Sequence, residues 1–315
     1  MSSGSDAALG HGGVRVSSIG FGTWQAGDDT WGPDVNDRDC AEGLARGATL
    51  GINLVDTAEN YGRGHAEEVV GRAVRIVGRK SVFVATKVSD HHLNAENVVR
   101  ACRGSLKRMG IRHIDLYQIH WTDPYDQVPL RETMRAMEHL QREGVIEHIG
   151  VSNFAVRDLE EARSSLSRTD IVSNQVQYNL FHREIEAEVL PYCSREGITV
   201  LAYSPLARGL LSGKYDLGHR PTDQVRTGAV LFKPKNLRAI APVLRKMARI
   251  GRSRGWTSAQ VALGWLRSHP GVIPIPGIKR PSQADELAPA ASIRLGSGDR
   301  RILDSMTARL HLDTF

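Results

Sequence analysis

Short apolar runs closed by a polar residue recur along the chain, and between them lie stretches with apolar residues three and four apart. The runs predict strands at 18–22, 52–55, 82–86, 114–119, 146–151, 171–176, 198–203 and 272–275. The helical stripes include 129–143, where Leu130, Met134, Met137 and Leu140 fall on one face, and a later set at Leu237, Ile240, Leu244 and Met247. A last helix is predicted over 297–309, leaving only a short tail. Gly110 and Gly144 stand where two helices end, because glycine takes the left-handed conformation there without strain. Strands alternating with helices favour an α/β fold of the (β/α)8 TIM-barrel kind over an open doubly wound sheet. No linker rich in Pro, Gly or Ser interrupts the pattern. The expected organisation is a flexible N-terminal arm over 1–13 and a single barrel domain over 14–315.

One segment breaks the rhythm. Residues 204–235 show little periodicity but carry Pro205, Gly209, Gly213, Gly218, Pro221, Gly228 and Pro234. Unpatterned loops of that length usually cover or bind a ligand. In a barrel it lies on the same rim as the C-terminal ends of the strands, and there the chemistry gathers. Asp56, Lys87 and His120 each sit just past an apolar run, and Tyr61 follows Asp56 in the next loop. Singly, each fits an ordinary role: a helix cap, a loop aromatic, a lysine reaching solvent, a satisfied core histidine. Together on one rim, a carboxylate, a phenol, an ammonium and an imidazole make a proton donor for a carbonyl.

Composition narrows the class. The 315 residues hold 41% hydrophobic and 24% charged residues, near the globular norm. No apolar stretch approaches the roughly 20 residues that cross a bilayer, and the N-terminus lacks the features of a signal peptide. Three cysteines, Cys40, Cys102 and Cys193, lie far apart without metal-binding spacing, which points to a reducing, cytoplasmic setting. Cys102 shares a helical stripe with Val98, Leu106 and Met109 and reads as core. The net charge of +6 is spread out, without the basic, aromatic-interleaved runs of a nucleic-acid surface. Expected partners are therefore a small carbonyl substrate, with neither nucleic acid nor membrane.

Three motifs are set aside. Gly20-Phe21-Gly22-Thr23-Trp24-Gln25 opens like a dinucleotide fingerprint but ends in Gln. Gly150-Val151-Ser152-Asn153-Phe154 opens like a nucleophile elbow but ends in Phe, where the sharp turn needs Gly. His91 and His92 are adjacent, so in an extended loop they point apart and chelate poorly.

The ordered segments are more specific. They are Asp56-Thr57-Ala58-Glu59-Asn60-Tyr61-Gly62, Thr86-Lys87, Gln118-Ile119-His120-Trp121 and Ile149-Gly150-Val151-Ser152-Asn153-Phe154. Asn174-Gln175-Val176-Gln177-Tyr178-Asn179, Ala202-Tyr203-Ser204-Pro205-Leu206-Ala207-Arg208-Gly209-Leu210-Leu211 and Ile275-Pro276-Gly277-Ile278-Lys279 follow in the same order. On these segments the chain resembles the aldo-keto reductases over nearly its whole length. It is most similar to the bacterial branch with a His-Trp-x-Asp-Pro stretch, here His120-Trp121-Thr122-Asp123-Pro124.

The resemblance implies metal-free hydride transfer from NADPH to an aldehyde or ketone, open-chain sugars included. Tyr61 would donate the proton, Lys87 would ease its loss, Asp56 would hold Lys87, and His120 would orient the carbonyl. Trp24 and Trp121 would wall the substrate pocket. It also implies that Ser152, Asn153 and Gln175 bind the nicotinamide carboxamide and that Tyr203 stacks beneath the ring. Thr23, Ser204, Leu206, Gly209, Leu211 and Gly277 would complete the cofactor cradle, the long loop holding the pyrophosphate. Near the C-terminus the match loosens. Glu286 fits the adenine-binding acid, but Leu287 stands where Asn is usual and Gln283 where many members have Arg. Lys279 and Arg280 remain as partners for a 2′-phosphate, which favours NADPH over NADH. The short tail suggests an open pocket. Two other classes stay in view: an NADP-binding regulatory or redox-sensing subunit with little turnover, and a structural barrel, which leaves the recurring polar strand ends unexplained.

Overall fold

Two short strands, β1 (Asp6–Leu9) and β2 (Val14–Ser17), pair antiparallel ahead of everything else. The computed structural model describes residues 6–11, 13–27, 29–33 and 35–313. Within the stretch expected to be an arm, residues 6–9 are thus strand. Leu9 and Val16 are buried and pack with the side chains that fill the barrel interior, which explains why this piece is ordered.

Eight parallel strands follow: β3 (Gly20–Gly22), β4 (Leu54–Asp56), β5 (Phe83–Val88), β6 (Ile114–Ile119), β7 (Ile146–Ser152), β8 (Ile171–Gln177), β9 (Thr199–Tyr203) and β10 (Val272–Pro274). They pair in sequence order, and a parallel bridge from Gly22 to Gly277 links the first strand to the segment after the last. The result is a nearly closed (β/α)8 barrel. Around it run α1 (Asp37–Thr49), α2 (His65–Val77), α3 (Ala95–Met109), α4 (Leu130–Arg142), α5 (Val156–Ser165) and α6 (Val189–Arg195). The remaining helices are α7 (Gln224–Thr227), α8 (Pro234–Arg252), α9 (Ser258–Arg267), α10 (Pro281–Leu287) and α11 (Ser297–Ala308). Every predicted strand is present with ends shifted by a residue or two, and the helix expected over 129–143 is α4. Gly110 caps α3 in the left-handed conformation, with φ 66°. Cys102 is fully buried on α3.

The period of two along each strand sorts side chains to two faces. Outward residues such as Val55, Val84, Tyr117, Val151 and Val200 join the larger core beneath the helices. Inward residues Leu54, Phe83, Ala85, Leu116, Leu201 and Ile273 form the barrel's own apolar layer. Burying one such large side chain contributes about 1.5–3 kcal/mol. Two residues further along the same inward face, apolar gives way to polar. Leu54 is followed by Asp56, Ala85 by Lys87, Leu116 by Gln118 and His120, and Leu201 by Tyr203. The apolar layer is the floor on which the polar one stands.

The long loop is not structureless. It holds a 3-10 segment (Ala207–Ser212), α7, and a 3-10 turn (Val230–Phe232) before α8. Pieces of one turn carry no apolar period, so the sequence pattern does not show them. Among the described residues no helix is long and apolar enough to cross a membrane.

Candidate active site

Lys87 is the centre of the polar layer. Its ammonium is fully buried, and its three N–H groups have three acceptors. Nζ donates to Asp56 Oδ1 at 2.6 Å, to the Thr57 carbonyl at 2.8 Å and to Tyr61 Oη at 3.2 Å. Asp56 is equally enclosed, and its second oxygen accepts the side-chain amides of Gln175 at 2.8 Å and Gln118 at 3.2 Å. A buried ion pair is costly to desolvate, and here all three ammonium protons and both carboxylate oxygens are hydrogen-bonded. Asp56 therefore caps no helix, and Lys87 reaches no solvent.

Tyr61 opens a 3-10 turn (Tyr61–Gly64) that leads into α2. Gly62 has φ 54° and lies so close to Gly27 that a Cβ would come within 2.6 Å of the Gly27 carbonyl oxygen. Gly64 rests on Arg108, which is paired at 2.6 Å with the buried Glu67. The turn is thus gripped from both sides. Burial pushes the Tyr61 phenol above the ordinary tyrosine range, with the Lys87 charge pulling against it. Burial also disfavours the Lys87 ammonium, but Asp56 and Tyr61 outweigh it and hold its pKa above the ordinary lysine value. Both protons stay on at neutral pH.

The His120 ring stands edge-on to Tyr61, with centroids 5.6 Å apart. Burial and the nearby Lys87 charge lower its pKa to about 3, so the imidazole is neutral. Its Nδ1 is buried without a partner among the described residues, so it is not a satisfied core histidine.

These groups meet at one end of a cavity of ≈ 460 Å³. Asp56, Tyr61, His120, Thr23, Trp24, Trp121, Ser152, Asn153, Gln175, Tyr203, Ser204, Leu206, Gly209, Gly277, Lys279, Gln283 and Glu286 all line it. Lys87 lies behind the wall, and so does Leu211, which is fully buried. Trp24 and Trp121 are 40% and 47% exposed, unusually open for their size, and stand at the mouth. No lining residue comes from beyond Leu287. The tail instead docks on α8, where Lys235 Nζ donates to Asp313 Oδ1 at 2.8 Å and Asn236 exchanges bonds with the Asp313 backbone. Thr314 and Phe315 lie outside the described residues.

Ser152, Asn153, Gln175 and Tyr203 form one network across the ends of β7, β8 and β9. Ser152 Oγ donates to the Gln175 carbonyl at 2.8 Å, and Tyr203 Oη donates to Asn153 Oδ1 at 3.1 Å. Asn153 Nδ2 donates to the His120 carbonyl at 3.1 Å. Neither Ser152 nor Asn153 caps α5, whose N-cap is Ala155. The Gln175 amide nitrogen is committed to Asp56, which ties this network to the ion pair.

The far end has a different character. Ser204, Ala207 and Arg208 take positive φ (50°, 48° and 56°), followed by Gly209 at 92°. Non-glycine residues held left-handed store strain, and such strain gathers at ligand sites. The Gly209 and Leu211 N–H groups both turn inward to the Leu206 carbonyl, at 2.9 and 3.1 Å. Arg208, Lys214, Arg226 and Lys279 line the cavity here. Among the described residues only Arg226 has a carboxylate partner, Asp223 at 2.6 Å. Burial and the neighbouring Arg226 charge lower the Lys279 pKa to about 8. Three cations without a carboxylate partner, beside the paired Arg226, suit a polyanion. Arg280 is exposed and does not line the cavity.

The sequence reading gave no role to Lys214, Arg226 or Trp31. Trp31 reaches the cavity from the loop after β3, its carbonyl accepting from Lys279 Nζ at 2.9 Å and its ring lying 5.0 Å from the Arg226 guanidinium. The available signal was two cations in a loop already marked as a cover. A separate trio, His113, Asp115 and Glu147, has donor atoms within 4.8 Å of one another at the opposite ends of β6 and β7. Asp115 there already accepts from Arg79 and from the Val84 N–H, each at 2.6 Å.

A family model described as the aldo/keto reductase family matches residues 18–308. The chain belongs to that family. Over 294 residues it is 40% identical to an uncharacterised oxidoreductase of Mycobacterium tuberculosis, covering 92% of this chain and 88% of that one. It is 30% identical to the NADH-specific methylglyoxal reductase of Escherichia coli over 318 residues, 94% and 96% of the two chains. The crystal structure of an aldo-keto reductase from Klebsiella pneumoniae with NADPH superposes with a TM-score of 0.79 at 30% identity, covering 99% of each chain. As an aldo/keto reductase, the protein is an oxidoreductase.

Proposed function

We propose that this aldo/keto reductase reduces aldehydes and ketones, open-chain sugars among them, with NADPH, and that Tyr61 delivers the proton. The observation that carries the reading is the chain of bonds from Asp56 through Lys87 to Tyr61 Oη. Lys87 donates to the phenol oxygen, so the phenol's own proton is left free for the cavity. As that proton leaves, the ammonium at 3.2 Å stabilises the phenolate. A phenol held above its ordinary pKa is fully protonated at neutral pH, which is the state a donor needs.

His120 contributes as a neutral imidazole. A bare buried nitrogen is tolerated better as an acceptor than as an N–H. With Nδ1 unpartnered, the favoured tautomer carries its proton on Nε2 and can donate to a carbonyl oxygen beside Tyr61. Trp24 and Trp121 flank the substrate and exclude water from one side.

The cation-rich end fits the phosphates of NADPH, which supplies the hydride when bound. Lys214, Arg226 and Lys279 would hold the phosphates, Lys279 being the partner for the 2′-phosphate, and Glu286 would face the adenosine end. Ser152, Asn153 and Gln175 would fix the carboxamide while Tyr203 supports the ring. The preference for NADPH over NADH rests on these cations.

The test is absorbance at the reduced-nicotinamide band with NADPH or NADH and a panel of small aldehydes, bulky ketones and sugars. Carbonyl-dependent loss of NADPH signal is expected, with NADH slower. Firm NADPH binding without turnover on any carbonyl would replace this reading with that of a cofactor-sensing subunit.

A further inference from the structure

Glu59 is an acid with a largely enclosed side chain that the proposed chemistry does not use. It lies in the loop between Asp56 and Tyr61, and its side chain is only 8% exposed. A carboxylate is costly to enclose, so its contacts must repay its burial. Oε1 accepts the Ser89 N–H at 2.7 Å and lies 2.9 Å from His92 Nδ1. Ser89 follows the strand that carries Lys87.

The loop bearing Tyr61 is joined to β5 one rung at a time. Thr57 N–H donates to the Ala85 carbonyl at 2.9 Å, and Glu59 N–H donates to the Lys87 carbonyl at 3.4 Å. The chain then turns, Tyr61 N–H donating to the Ala58 carbonyl at 3.2 Å, and the Glu59 carboxylate takes the Ser89 N–H. A side chain has taken the place of the next main-chain acceptor. It continues the pairing of β4 with β5 past the end of the strand, alongside the Lys87–Tyr61 contact.

We propose that Glu59 is a positioning residue for the proton donor, clamping the Tyr61 loop to the end of β5 so that Tyr61 Oη stays within reach of Lys87 Nζ. His92 secures the carboxylate from the solvent side. The role rests on the reading of Tyr61 as donor. A loop displaced by about 1 Å from productive geometry can cost of the order of 100-fold in rate.

The experiment compares Glu59→Ala, Glu59→Gln, Ser89→Pro and Tyr61→Phe for kcat, NADPH affinity and the pH dependence of kcat. Glu59→Ala is expected to lose about 10- to 100-fold in kcat with NADPH affinity unchanged. Its high-pH limb should move upward, because a phenol further from Lys87 loses the pull that lowers its pKa. Glu59→Gln keeps an oxygen for both donors and should restore most of the rate. Ser89→Pro removes the N–H from the other side of the clamp. Proline takes the φ of −69° found at that position, but its ring carbon replaces the N–H that points at Oε1, so it forces the carboxylate away and tests the contact even if Glu59→Ala does not fold. Full kcat in Glu59→Ala or Ser89→Pro beside an inactive Tyr61→Phe overturns the positioning role alone. Equal losses in Glu59→Ala and Glu59→Gln, or a matching loss of NADPH affinity, also overturn it. An active Tyr61→Phe overturns the donor reading itself.

Discussion

The two ends of the cavity solve opposite electrostatic problems. At the Tyr61 end the charges close on themselves: Lys87 is matched by Asp56, and Asp56 by Gln118 and Gln175. At the other end Arg208 and Lys214, on a loop with three strained non-glycine residues, stand with Lys279 from the segment after β10, and none of the three has a carboxylate partner among the described residues. The first end is preorganised, as the proposed proton donor requires, since such a group works only at fixed distances. The second is left unbalanced, and on the proposed reading its counter-charge arrives with the cofactor. Strand ends suit the first task and a loop suits the second.

Variants that cross this division break the comparison if it is wrong. The largest effect is expected from Lys87→Met, which strands a buried Asp56 carboxylate. Turnover should fall by about 10³-fold. Stability should fall by about 3–5 kcal/mol in denaturant unfolding, the usual consequence of removing one partner of a buried pair. Unchanged stability would mean that Asp56 does not depend on its cation. A smaller effect is expected at the far end. Lys214→Ala should weaken NADPH binding by about 10-fold or more, since hydrogen bonds to charged groups contribute about 1.5–3 kcal/mol. Saturating turnover should fall far less, as fluorescence titration beside steady-state rates would show. The smallest is a pH effect. Lys279, lowered to about 8 in the free protein, attracts phosphate only while protonated, so NADPH affinity should decline as pH rises through 8. The decline should stay below about 10-fold per pH unit. Lys279→Met should flatten that dependence, and a profile unchanged by the substitution would remove Lys279 from the phosphate site.

The barrel and the Tyr61 end were legible in the sequence for one reason. Strand periodicity puts Asp56, Lys87, Gln118, His120 and Tyr203 on the inward face beyond an apolar layer, and that is a local, countable pattern. The antiparallel pair of residues 6–9 with 14–17 was not legible, because its four-residue strands are fixed by two buried contacts, Leu9 and Val16, rather than by alternation. The phosphate end was only partly legible. Lys279 was marked, but Arg280 faces away, and Lys214, Arg226 and Trp31 meet there only through tertiary contact between two loops. Glu59 lay within a quoted motif, yet its partners Ser89 and His92 belong to the next strand's loop, a pairing that no spacing rule reveals.

The most direct test of the central claim is a single preparation of Tyr61→Phe, measured for NADPH affinity by fluorescence and for aldehyde reduction at saturating NADPH. The account predicts wild-type affinity and a loss of turnover of about 10²- to 10⁴-fold, the usual contribution of a positioned proton donor. Turnover at the wild-type rate with affinity intact would contradict it.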